Sequence, residues 1–270
     1  LTSTVERRWE GASLIAMSAA GLAIFVGPLL VGRAFPQPPV LFTALIACGA
    51  LAVLAVGLQT HRLSTRILAV LAALVAIDAT LRLVIVIGLL GFSPIFFLVI
   101  VGGYVMGPGF GFALGALTLL LSAVLTAGFG PWLPYQMLAA GWVGMGAGYL
   151  RHRGLLLLAI YGGVAGFAYG LLLDMWEWPF LLGAGSSSIS WAPGLSIASL
   201  ARRFAAFYLT TSFLYDSFRA AGNVTLLLLL GAPVTQALER FRRRFLVEWI
   251  SAPVVRESAA NMGADVGTPA

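Results

Sequence analysis

Lysine is absent from the 270 residues, histidine occurs twice and cysteine once. Each shortage removes a class of chemistry. A Walker A loop needs Lys to reach the β- and γ-phosphates, so the chain has no nucleotide-hydrolysing site of that kind. Cys48, alone, makes no intramolecular disulfide and no cysteine metal cluster. His61 and His152 both fall in arginine-rich connections between apolar runs. Neither reaches a membrane-depth serine, as an intramembrane Ser–His protease requires. H-E-x-x-H is missing, as is any other zinc set. The sequence therefore offers no catalytic residue, no metal site and no cofactor site. Charge is scarce as well: 10% of residues are charged, against about a quarter in an average soluble domain.

Apolar length is what remains. Hydrophobic residues make up 60% of the chain and mean hydropathy is +0.98, more apolar surface than a water-facing globule can enclose, so lipid must cover it. Spanning the hydrocarbon takes about 20 apolar helical residues, and eight segments answer to that ruler: Gly11–Gly32, Pro39–Gly57, Thr65–Gly88, Pro94–Met106, Gly109–Ala127, Trp132–Leu150, Gly154–Asp174 and Phe204–Leu230. The first lacks a convincing signal-peptide cleavage site and is expected to be retained. The fold class is an all-α membrane protein. Residues 1–60 are a helix pair, 61–231 a six-helix core, 232–250 an amphipathic cytoplasmic helix and 251–270 a disordered tail.

The net charge of +6 comes from arginine alone. Arg7, Arg8, Arg62, Arg66, Arg151, Arg153, Arg240, Arg242, Arg243 and Arg244 fall on one face of the eight-helix topology, and Arg33, Arg202 and Arg203 on the other. This is the distribution of topology determinants, not of a nucleic-acid surface, and it assigns both termini to the cytoplasm of a multi-pass cell-membrane protein. Met175–Arg203 is then an external connection, with Trp176, Glu177, Trp178 and Trp191 suiting either an ordered lid or an interfacial belt. Pro233–Ile250 would lie on the anionic inner leaflet or dock a partner.

Ionisable groups inside spans mark functional sites by default. Asp78 with Arg82, and Asp216 with Arg219, each share a helix face. Structural neutralisation is the expectation for the aspartates; Arg82, nearest the outer surface, is equally suited to contact a ligand. Ala69 with Ala73, and Ala72 with Ala76, make small-xxx-small pairs, which serve packing within the bundle or a subunit contact. The glycine-rich stretch from Gly102 to Tyr149 implies closely approaching helices or cavity-lining backbone. Within it, Pro131 and Pro134 bracket a helix start that carries Trp132, Tyr135 and Gln136, either as a cavity mouth or, for Trp132, as an interfacial anchor. Trp176, Trp178 and Tyr208 complete the candidate substrate-binding set.

At these residues the chain resembles the substrate-binding (S) components of energy-coupling factor (ECF) transporters. The resemblance runs over residues 64–231 through Gly91-Phe92-Ser93-Pro94, Gly103-Tyr104, Gly107-Pro108, Gly109-Phe110-Gly111-Phe112, Gly128-Phe129-Gly130-Pro131-Trp132-Leu133-Pro134-Tyr135-Gln136-Met137 and Trp142-Val143-Gly144. It implies an intramembrane six-helix cylinder that binds a vitamin or precursor, cobalamin or a related corrinoid among them, on its outer side. A transmembrane coupling subunit and two cytoplasmic ATPase subunits would supply movement. Ala69, Ala72, Ala73 and Ala76 would then be the contact with the coupling subunit. The two preceding helices depart from the family pattern. A membrane enzyme acting on a lipid or prenyl substrate is the alternative function, although Asp174 and Glu177 are the only adjacent carboxylates available to it.

Overall fold

The glycines and prolines that punctuate the sequence end its helices. The structure, a computed structural model, describes residues 65–85, 94–181 and 188–245, together with 12, 14–16, 18–19, 21–23, 25–27, 44 and 48–49. Most of the expected second span, the Gly91-Phe92-Ser93 motif and everything from 246 onward lie outside the described residues. Those described form helices α1 (Thr65–Ile85), α2 (Ile95–Met106), α3 (Pro108–Thr126), α4 (Leu133–Tyr149), α5 (Leu155–Leu181), α6 (Ile197–Thr211) and α7 (Phe213–Phe245). Among them, three helices are long and apolar enough to cross a membrane: Pro108–Thr126, Leu155–Phe180 and Phe213–Arg243.

Helix α2 is buried along its length from Ile95 to Val105, which is why it carries no polar face: its 12 residues span about 18 Å entirely inside protein. It reverses into α3 at Gly107, whose φ of 107° only glycine adopts without strain. The reversal lays α2 and α3 antiparallel, and α4 packs onto both. A Cβ at Gly103 or Gly111 would strike the Gly144 carbonyl, one at Gly115 the Ala140 carbonyl, and one at Gly148 the Gly107–Pro108 backbone. Contacts stepping by about four residues along both helices define an antiparallel α3–α4 pair in near backbone contact. The glycine-rich stretch thus makes close helix approach, one of its two expected roles.

A second ladder went unread in the sequence. Gly162, Gly166 and Gly170 of α5 repeat every fourth residue and receive Asn223, Ala220 and Asp216 of α7 in turn. Asn223 Nδ2 donates to the Gly162 carbonyl at 2.9 Å. Small residues at this spacing expose backbone that polar side chains then satisfy.

Two helix boundaries differ from expectation. Helix α5 continues past Asp174 to Leu181, through Pro179, so Trp176 and Trp178 sit on a helix and not in a loop. The expected last span divides at Ser212: α6 ends at Thr211 and α7 begins at Phe213. Helix α6 is amphipathic, with Phe207 its buried residue. Helix α7 runs unbroken through Pro233 to Phe245, so the division expected at 231/232 is not a structural boundary.

Candidate functional site

Parallel and antiparallel packing gathers the candidate residues at one end of the bundle, where α4 and α7 begin and α1, α3 and α5 finish. At the start of α4 the Gly130 carbonyl accepts from Leu133 N and the Trp132 carbonyl from Gln136 N. This turn points Tyr135 inward, 1% exposed. Its ring stacks on Trp176 of α5, with centroids 4.4 Å apart and planes 28° from parallel. Trp176 in turn meets Phe180 at 5.9 Å. The result is a packed aromatic cluster shared by α4 and α5.

Trp178, two positions on, faces elsewhere. It is fully buried in a separate cluster with Trp191 and Phe207, and its indole N–H donates to the Ile189 carbonyl at 2.8 Å. Arg203 Nη1 also donates to this segment, at the Ser190 carbonyl, 3.2 Å away. The cluster pins the chain before α6 onto the bundle, so Trp176 and Trp178 serve different walls. Trp132 is 43% exposed, its indole folded back over Gly130, outside the buried aromatic cluster. Gln136 is half-buried.

The two acid–arginine pairs behave differently. Asp216 and Arg219 form an ion pair with side chains 2% and 15% exposed. Tyr208 Oη donates to the second Asp216 oxygen at 3.0 Å, and Arg219 also donates to the Gly166 carbonyl at 3.3 Å. Tyr208 is therefore a strut between α6 and α7. Asp78 and Arg82 close no such pair. Arg82 donates to Ser122 of α3 at 3.2 Å, while the Asp78 carboxylate, fully buried, faces Thr118 without a hydrogen bond of good geometry. Arg219 also lies over the Tyr169 ring, 5.2 Å from its centroid. Asp78 and Arg82 thus pack between α1 and α3, and Asp216 with Arg219 among α5, α6 and α7.

At the opposite end, Ala69, Ala72, Ala73 and Ala76 are all exposed on α1. They do not pack within the described bundle. Ala69 and Ala73 border an apolar groove of about 440 Å³ completed by Arg66, Val70, Leu74, Leu238 and Phe241.

The described residues form an all-helical bundle with a buried aromatic cluster at one end and an apolar groove at the other. A family model for the substrate-specific component of ECF transporters matches residues 66–231, over half of the chain, and the chain belongs to this family. Its members bind a small molecule in the membrane as transporter subunits and not as enzymes, within a complex that includes coupling and ATPase subunits. The lipid- or prenyl-enzyme alternative finds no support there. No curated protein and no solved structure gives a significant match.

Proposed function

We propose that this chain captures a vitamin-type micronutrient in a recess that opens at the aromatic cluster between α4 and α5, on the external side of the cell membrane, for an ATP-driven importer. The Tyr135–Trp176 stack carries the reading. Large flat rings supply apolar area, and neighbouring polar groups fix orientation. Arg82 and Gln136 are the polar edge, Trp132 the rim, and Trp178 and Tyr208 hold α6 and its preceding segment as the cover. A conjugated, flat-bodied molecule suits such a recess; within the vitamins, cobalamin or a related corrinoid is the favoured substrate on the sequence resemblance.

The orientation follows from charge. Arg66, Arg151, Arg153 and Arg240 share the end of the bundle away from the recess, which makes that end cytoplasmic by the positive-inside rule and leaves the recess external. The exposed alanines and their groove then face a coupling subunit near the cytoplasmic side. Expression in cells lacking a coupling subunit and its ATPases tests this. The chain alone should bind one member of a labelled vitamin panel without accumulating it, and accumulation should appear on co-expression of the missing subunits. ATP-driven accumulation by the chain alone contradicts the proposal.

A further inference from the structure

The helical stretch from Leu14 to Gly27 precedes the family-matched core, yet it packs on the start of α4 beside the Tyr135–Trp176 stack. Phe25, 0% exposed, sets its ring edge-on to Tyr135 with centroids 5.2 Å apart and planes at 73°. It also meets Trp142 at 5.7 Å. One turn back, Gly21 abuts Leu138 and Trp142, where a Cβ would collide with the Leu138 side chain. A further turn back, Ser18 Oγ accepts from the Trp142 indole N–H at 2.9 Å. Positions 25, 21 and 18 therefore meet 135, 138 and 142, an antiparallel helix pair joined along one stripe. The other faces are exposed, with Ile15 71% and Leu22 53% accessible.

We infer that Phe25 is a plug in the substrate path, supplied by a helix that the shared core lacks. The inference rests on the reading of Tyr135 and Trp176 as substrate contacts. Tyr135 is sandwiched between two aromatic neighbours, Trp176 from the core and Phe25 from outside it. The Phe25 ring covers the Tyr135 edge, which a flat ligand needs to reach. The helix is held at depth by the Ser18–Trp142 hydrogen bond and the Gly21 contact, while Phe25 sits at the end nearest the first turn of α4. A small outward swing of that end, with the deeper anchor kept, uncovers Tyr135. Substrate entry is thereby tied to an element outside the family core, and substrates too small to displace the ring are excluded.

Cysteine accessibility reads this without any substrate. In the full chain carrying Cys48→Ser, Tyr135→Cys is exposed to a water-soluble charged methanethiosulfonate, with Phe25 intact or as Phe25→Ala. With position 135 already a cysteine, Phe25→Ala removes the remaining ring contact with Trp142 and the bulk over that position, and should raise the labelling rate by about fivefold. Phe25→Leu, which keeps bulk but not the ring, should fall between. Thr118→Cys, fully buried on α3 beside Asp78, serves as an interior control and should stay unlabelled in both backgrounds. The inference is overturned by an equal rate in the two backgrounds, by fast labelling with Phe25 in place, or by a parallel rise at position 118, which would mean general loosening. Because labelling reports access alone, the substrate reading stands or falls separately, on ligand retention by Trp176→Ala.

Discussion

Tyr135 and Trp176 stack with ring centroids 4.4 Å apart and planes 28° from parallel, joining the first turn of α4 to the last turns of α5. Neither ring is lined up with the other by its own helix. The contact exists because α4 is held against the rest of the bundle by backbone-close glycines, and because α5 remains helical past Asp174.

Trp132 and Trp178 separate rim from support. Trp132→Ala, at a residue 43% exposed, should change stability by no more than about 0.5 kcal/mol. Trp178→Ala removes a fully buried ring and leaves the Ile189 carbonyl without its donor, a loss of about 3–5 kcal/mol. Thermal or denaturant unfolding in detergent checks the contrast. Equal destabilisation would mean that the Trp178 cluster does not hold its segment down.

Gly144 tests the close approach of α3 and α4. A Cβ there meets the Gly111 backbone carbonyl, which has no rotamer with which to yield. Gly144→Ala should cost about 1–3 kcal/mol, although the same change at an unconstrained helix position is stabilising. Unfolding of the purified variant is the measurement, and a stability gain would contradict the packing.

The Asp216–Arg219 pair predicts an asymmetry. Arg219→Met leaves a buried carboxylate with only Tyr208, and should destabilise by about 3–5 kcal/mol. The double variant with Asp216→Asn should recover part of that loss, because no uncompensated charge remains. A double-mutant cycle on unfolding free energy reads the coupling, and strict additivity would show that the pair is not coupled.

Ala73→Leu probes the groove on α1. The position is exposed, so the isolated chain should keep its melting temperature and its ligand. Co-purification with the coupling subunit should weaken as the two helix backbones are pushed apart. Loss of the isolated fold with the complex intact would assign the alanines to internal packing.

Membrane class and most of the core were legible in the sequence because lipid imposes them: apolar length marks helices, and Gly107, Pro108, Pro131 and Pro134 mark where they turn. Helices α2, α3 and α4 begin and end within a residue or two of their expected limits. The α5 terminus was not legible, since Asp174, Glu177 and Pro179 read as a loop while burial of Trp176 and Trp178 on two faces keeps the helix. Ser212 breaks the next helix without a glycine or proline to announce it. The Gly162, Gly166, Gly170 repeat was present as a spacing signal and was missed. Pairings between distant segments, such as Phe25 on Tyr135 or Arg82 on Ser122, depend on which faces meet, and no local pattern carries that information. Among the candidate site residues, Tyr135 and Trp176 come together, Trp178 and Tyr208 support from the side, and Trp132 stands at the edge.

The most direct measurement is mass spectrometry of the small molecule retained by the chain when purified from rich medium, without nucleotide and without partner subunits. The account predicts one vitamin-class compound retained at close to one per chain, lost in a folded Trp176→Ala variant and kept in Ala73→Leu. A wild-type chain that retains no such compound, or a Trp176→Ala variant that retains it undiminished, would contradict capture of substrate in the recess between α4 and α5.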